Sequence, residues 1–402
     1  MRGIPFQISG LLALNGVSIL GNTITEIAIP WLILEVSGNP LLVAAVMSAK
    51  IVPLIFSIFF SAQLVDKYGA FRLSVLSDLV NFLSVLLIPL FYSLDVLHFY
   101  LLAILLIFST ILDSPGRLAK DVMLAKEITR HKKEQERING INSTIENIGD
   151  LIGPVFGSLI IAMLGTINAL YFDAVSFLVV ASGIILLKKH FVADISQAIE
   201  PASSLLSYRY FFEAFGYIRA EKTLFSVLIL SSIINFVITP FLIVYLPYVN
   251  KIEFNSVISL GVSITCFGIG TTFSSLLYSL YGRRFSSHRI ILAGYSLLGL
   301  SFISLSLFAG QYVLFLQLFA IGCSIGFAAP VEVTLIQRQV PENLFSRIMT
   351  LFTSIRFLSV PIGYLCFGII LNSKIAPQTP IIMAIMVLAG LLLYLRLRGK
   401  GE

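Results

Sequence analysis

Charged residues stand inside several apolar stretches, where charge is expensive, and their types define the chemistry to look for. Glu26 lies in an apolar run over residues 8–34, and Lys50 in the next, over 41–65. A carboxylate and an ammonium at similar depth in adjacent antiparallel helices form either a buried structural ion pair or, if the pair opens, a proton-exchanging couple. At 1.5 Å per helical residue, both sit roughly 5–8 Å from their run centres, toward the same face. Asp150 lies near the centre of run 139–164, and Arg356 at a corresponding depth in run 348–371. These two can contact a substrate, exchange protons, or pack against partners elsewhere. Asp78 and Asp173 fall near run ends, where an ion pair or a wet position is expected, and Glu146 is open to either kind of role. Asn22, Asn235 and Gln317 can hydrogen-bond a ligand or simply join helices.

Other chemistries leave no trace. His131, His190 and His288 fall outside the runs, His98 stands at the very start of one, and the four are scattered, so neither a metal site nor a clustered active site is expected. Cys266, Cys323 and Cys366 lie within apolar runs and read as buried thiols without a disulfide framework. There is no G-x-x-x-x-G-K-[ST] loop for a nucleotide. No catalytic residue, cofactor or nucleic-acid partner is expected.

The elements that must position these charges follow from composition. Of 402 residues, 57% are apolar and 12% charged, too little charge for the surface of a water-soluble domain. A helix needs roughly 20 apolar residues to cross the hydrocarbon. Twelve runs meet that length: 8–34, 41–65, 73–93, 97–114, 139–164, 167–187, 223–247, 256–280, 290–308, 312–330, 348–371 and 379–395. β-Barrel strands would be half as long and alternate in polarity, so the fold class is all-α membrane protein. With the N-terminus inside, 23 of the 27 basic residues fall in cytoplasmic segments, which places both termini in the cytoplasm of a multi-pass protein of the cell (inner) membrane.

A polar stretch over 188–222 divides the chain into six-span halves, 1–187 and 223–402. Within it, residues 208–219 pattern as an amphipathic helix, lying on the inner membrane surface or acting as a solvated linker. The halves repeat: Pro30 pairs with Pro240, Gly69 with Gly282, Pro115 with Pro330, and Pro154 with Pro361, at nearly constant offset. Six spans per half give both repeats the same orientation.

Two motifs carry a family resemblance. Between the second and third runs lies Ala62-Gln-Leu-Val-Asp66-Lys67-Tyr-Gly69-Ala-Phe-Arg72. In the fifth run lies Gly149-Asp-Leu-Ile-Gly153-Pro154-Val-Phe-Gly157, whose glycines recur every four residues and make one smooth helix face. These resemble the major facilitator superfamily's loop 2–3 motif and the glycine–proline motif of its antiporters. Ala62 replaces the usual glycine, Ala70-Phe71 stand where basic residues are expected, and Ser158 replaces a further glycine. Tyr171–Phe177 and Ile336–Arg347 are similar to the drug-efflux branch that includes macrolide and enterobactin exporters. The resemblance implies two six-helix bundles around a central cavity and export of a small, partly apolar compound, an antibiotic or a siderophore, against proton flow. It also implies an inner latch between Asp66, with Lys67 and Gly69 in its loop, and Arg347 at the start of the eleventh span. Nutrient symport, lipid movement and a non-transporting sensor stay open. The expected partners are a small-molecule substrate, protons and the bilayer, with the chain a monomer. The small-residue stripe of span eight (Gly261, Thr265, Gly268, Thr272, Ser275) is expected to meet the Gly149–Gly153–Gly157 face.

Overall fold

In the interior of a bilayer, backbone N–H and C=O groups find no water, so a long apolar segment satisfies them within its own helix. The computed structural model describes residues 5–130, 134–190 and 215–398, and among these every regular element is helical. Twelve helices are long and apolar enough to span. They are α1 Phe6–Ser37, α2 Pro40–Tyr68, α3 Ala70–Ser93, α4 Phe99–Arg130, α5 Gln135–Leu164, α6 Thr166–Leu187, α7 Lys222–Phe254, α8 Val257–Tyr281, α9 Ser287–Leu307, α10 Gln311–Gln339, α11 Glu342–Leu371 and α12 Thr379–Leu397. The chain separates into two compact units, Met1–Gly38 with Val46–Ala202, and Asn39–Ala45 with Ser203–Glu402.

The ends differ from the sequence expectation where it matters for function. Helix α4 runs on past 114 to Arg130, and α10 past 330 to Gln339. Charged residues had marked the edges of the apolar runs, but a charge facing a polar interior does not break a helix. Pro115 and Pro330 both lie inside their helices. Past Pro240, which has no N–H to continue the ladder, α7 includes two π-type stretches, Phe241–Tyr245 and Asn250–Phe254. Gly69 separates α2 from α3 at φ 81°, a left-handed conformation that glycine adopts without penalty. Its repeat partner Gly282 sits at φ −58° in a 3₁₀ turn, so the two loops do not share one backbone shape. Of the expected 208–219 helix, residues 208–214 lie outside the described residues. Residues 215–220 are helical, and Ile218 is fully buried. Tyr217 donates its hydroxyl to the Gln339 carbonyl at 3.0 Å, so this segment docks on the end of α10.

Within the first unit α1 packs on α5 and α6, and α3 on α4 and α6. A cluster of Leu11, Val65, Leu73, Met123 and Ile184 closes one end. The Gly149–Gly153–Gly157 face is filled by α1: a Cβ at Gly149 would meet Ile19 at 2.5 Å, one at Gly153 would meet Thr23 Oγ1 at 2.7 Å, and one at Gly157 would meet the Thr23 carbonyl at 3.3 Å. This corrects the expected pairing of that stripe with α8. In the second unit, α8 packs on α10 through Gly270 and Ser274, facing Gly322 and Gly326, while Thr272 of the expected stripe is exposed. Four-residue spacing identifies a smooth face but not the neighbour that fills it. Large apolar side chains such as Phe108, Phe156, Leu186, Leu300 and Leu316 point outward, as expected of a surface solvated by lipid tails.

Candidate functional site

Residues of the first unit line an open cavity of about 490 Å³. Helix α1 contributes Asn15, Ser18, Asn22 and Glu26, whose spacing of three and four residues is one face of a helix, with Thr23 beside Asn22. That face is polar inside an otherwise apolar helix. Helix α4 adds Asp113, Arg117, Lys120 and Asp121 with the same periodicity, α5 adds Glu146 and Asp150 four apart, and α3 adds Ser77 and Asp78. In a chain solvated by lipid, such a stripe is stable only where it faces other polar groups or water.

Close helix approach makes this convergence possible. A Cβ on Gly116 would collide with Ser77, and Ser77 donates to the Leu112 carbonyl at 2.7 Å, which pins α3 against α4. Asn15 donates to Asn142 Oδ1 at 3.1 Å and Asn142 to Glu146 at 2.9 Å, tying α1 to α5 beside the cavity. Lys120 pairs with Asp78 at 2.6 Å, and Asp78 is only 1% exposed. Among the described residues its second oxygen, Oδ2, has no hydrogen-bond partner. Asp173 on α6 is buried between helices, where it accepts from Thr25 and Ser176 and belongs to packing rather than to the cavity. A Cβ on Gly21 would strike this group.

The structure therefore places Glu26 and Asp150 in one cavity, both open to water. Lys50 is half-buried and does not line it. No hydrogen bond or ion pair joins it to Glu26 among the described residues, so the expected buried pair is not formed. Lys50, Asp113, Asp150 and Arg117 are the charges that act on Glu26. Arg356 lies in the second unit, where α11 sets it 3.8 Å from Glu332 of α10. Glu332 is 2% exposed and accepts a hydrogen bond from Tyr295 of α9. Nearby, His288 and Tyr394 are bonded to each other and buried, so His288 is an interior residue of α9 rather than a loop residue. Gln317 joins α10 to Ser304 of α9 at 3.0 Å, and Asn235 donates to its own helix at the Ser231 carbonyl. Asp66 and Lys67 close α2, the Lys67 ammonium lying 5.2 Å from the Tyr68 ring, and Arg347 is half-buried in α11. All three cysteines are free, but only Cys323 is buried.

Asp113, in the last turn of run 97–114, is a further charge inside a span, while Arg117, Lys120, Asp121 and Glu332 escape a reading that ends the runs at 114 and 330. One signal was available. Pro115 and Pro330 are repeat partners, and each is followed two residues later by a charge, Arg117 and Glu332.

The sequence matches the family model described as Major Facilitator Superfamily over residues 11–364 and 228–400. The multidrug efflux pump Tap of Mycolicibacterium fortuitum is 25% identical over 353 residues, 87% of this chain and 85% of that protein. Macrolide efflux protein A of Streptococcus pyogenes is 21% identical over 357 residues, again 87% and 85%. Among solved structures, the nucleoside transporter NupG superposes with a TM-score of 0.82 at 12% identity, covering 98% of this chain and 99% of that one.

Proposed function

Because the chain belongs to the major facilitator superfamily, we propose that this transporter is a proton-coupled exporter of small organic compounds, working by alternating access. The observation that carries the coupling is the meeting of Glu26 and Asp150, both reachable by water, in one cavity of an apolar helical unit. A carboxylate there can take a proton when the cavity is open to one side and release it to the other, provided proton and substrate favour different states. The direction of transport rests on the relatives, two of them named as efflux proteins and aligned over most of this chain.

Glu26 is the primary coupling group in this reading. Lys50 is close enough to act on it through charge without being bonded to it, so small movements of α1 or α2 would change its proton affinity. Asp66, proposed to latch to Arg347 when the cavity opens outward, governs conversion between states rather than binding. Both termini are taken as cytoplasmic and the working unit as a monomer.

The test uses everted membrane vesicles and a radiolabelled macrolide as the first probe. Wild-type protein should accumulate the probe when an acid-inside gradient is imposed. Glu26→Gln should abolish gradient-driven accumulation yet retain exchange of labelled for unlabelled probe without a gradient. Full pH-driven accumulation by Glu26→Gln would remove Glu26 from the coupling role and pass it to Asp150.

A further inference from the structure

We propose that Tyr217, near the end of the linker, is a positioning residue for the inner latch: its hydroxyl braces the end of α10 and so fixes where α11 presents Arg347. The inference rests on the transport reading above. It gives a role to the amphipathic stretch 208–219, which that reading leaves without one.

Of that stretch, the described helical residues 215–220 bury their apolar face in protein. Ile218 is fully covered and Tyr217 half-buried, while Gly216, Arg219 and Ala220 are exposed. A helix lying on a membrane surface keeps its apolar face for lipid, so this one is already spent. Tyr217, α10 and α11 all belong to the second unit. The last four carbonyls of a helix have no partner within it. In α10 the Ile336 carbonyl takes the Val340 N–H at 3.0 Å, and the Gln339 carbonyl takes the Tyr217 hydroxyl, also at 3.0 Å. Little water reaches this end, since Gln339 Oε1 is buried and has no hydrogen-bond partner among the described residues. A carbonyl that loses its donor in such a place is poorly rehydrated, so removing the phenol hydroxyl carries a cost.

The brace reaches Arg347 by a short path. Only Val340 and Pro341 join α10 to α11. Val340 is buried, the Pro341 ring holds φ at −58°, and the Leu344 N–H returns to the Pro341 carbonyl at 3.0 Å, so the turn has little freedom. Arg347 follows Pro341 by six positions, less than two helical turns, and Ile348 next to it is buried. At its other end the linker helix passes into α7 through Glu221. The Glu221 N–H bonds the Tyr217 carbonyl at 3.1 Å, and the Glu221 carbonyl takes the Phe225 N–H at 3.0 Å. Tyr217 therefore stands where the start of α7 meets the end of α10. A charge-assisted bond such as the proposed Asp66–Arg347 latch forms over about 2.7–2.9 Å. Its members must be held to within about half an ångström. Loosening Gln339 spreads the positions of Arg347 and slows closure of the latch, while the cavity of Glu26 and Asp150 is untouched.

The experiment compares wild type with Tyr217→Phe, which keeps the ring and removes only the hydroxyl, in two arms. The first is hydrogen exchange on purified full-length protein in detergent, which needs no transport. Peptides covering 337–347 should exchange about fivefold faster in the variant, the middle of the range for one neutral hydrogen bond, with α8 unchanged. The second is proton-driven accumulation of the labelled macrolide in everted vesicles. Its maximal rate should fall about fivefold, while the half-saturating concentration and equilibrium binding stay within about twofold. Asp66→Asn/Tyr217→Phe should be no slower than Asp66→Asn alone, because both act on one step. Tyr312→Phe, at the exposed start of α10, should change neither arm. Ile218→Val thins the packing under the same turn but keeps the hydroxyl. It should show the Tyr217→Phe pattern more weakly, and it decides if Tyr217→Phe does not fold. Unchanged exchange over 337–347, or faster exchange with an unchanged maximal rate, overturns the proposal. So does a loss of rate matched by an equal loss of binding, or a double variant slowed by the product of the two single effects. Faster exchange in the variant of a protein whose wild type shows no proton-driven transport would keep the brace and sink the transport reading.

Discussion

Replacing Lys120 with methionine strips the partner from Asp78 while keeping side-chain length. The pair is tight, at 2.6 Å, with Asp78 1% and Lys120 20% exposed. Removing one member of a fully buried pair costs about 3–5 kcal/mol, because the remaining charge is left without compensation. Lys120 is not fully buried and the cavity admits water, so a loss of about 2–3 kcal/mol is expected here. At about 2–4 °C per kcal/mol for a unit of this size, unfolding should fall by about 4–12 °C. Asp78→Asn, which leaves the better-solvated lysine alone, should cost less. The double variant Asp78→Asn/Lys120→Met should recover most of the single Lys120→Met loss, since no uncompensated charge remains. Thermal unfolding in detergent, run as a double-mutant cycle, reads all three. A Lys120→Met midpoint within about 1 °C of wild type, or a double variant as unstable as the two losses added, would refute the reasoning.

Gly153→Ala should destabilise by about 1–3 kcal/mol, because its Cβ enters Thr23 Oγ1 and Cγ2 at 2.7 and 3.1 Å. Adding Thr23→Ala should restore much of the unfolding temperature, whereas no recovery would mean that α1 and α5 are not in contact at this point. Arg356→Leu should leave Glu332 buried and unpaired and lower stability by about 2–3 kcal/mol, somewhat less than for a fully buried pair since Arg356 is partly exposed. Glu332→Gln in that background should repair it, and failure to repair in the unfolding assay would assign the loss to packing. Asp66→Asn should reduce vesicle transport several-fold while equilibrium binding of the probe stays within about twofold, and equal losses in both would argue against a latch.

Much of the architecture was legible before any coordinates. Twelve helices follow from twelve apolar runs because the bilayer forces each segment to satisfy its own backbone, a constraint that is local in sequence. Glu26 and Asp150 stood out for the same reason: a charge within an apolar run is visible by contrast. The polar stripes of α1 and α4 were equally present in the letters, at spacings of three and four. They were hidden in α4 because Asp113, Arg117, Lys120 and Asp121 looked like the end of a span rather than the lining of a cavity.

What the sequence alone determined was therefore the set of helices, the family, and which residues would be costly to leave against lipid. Partners were decided only by the tertiary structure. Arg356 could have met any acid at its depth, and it is Glu332 that α10 presents. The Gly149–Gly153–Gly157 face could have received any smooth helix, and α1 fills it. Lys50 shares the depth of Glu26 without bonding to it, while Lys120, forty-two positions from Asp78, lies 2.6 Å away. Depth is set by distance along one helix, but contact also depends on the rotation of each helix about its axis and on which helix becomes its neighbour. Both are fixed by the summed packing of the whole unit, which no single segment encodes.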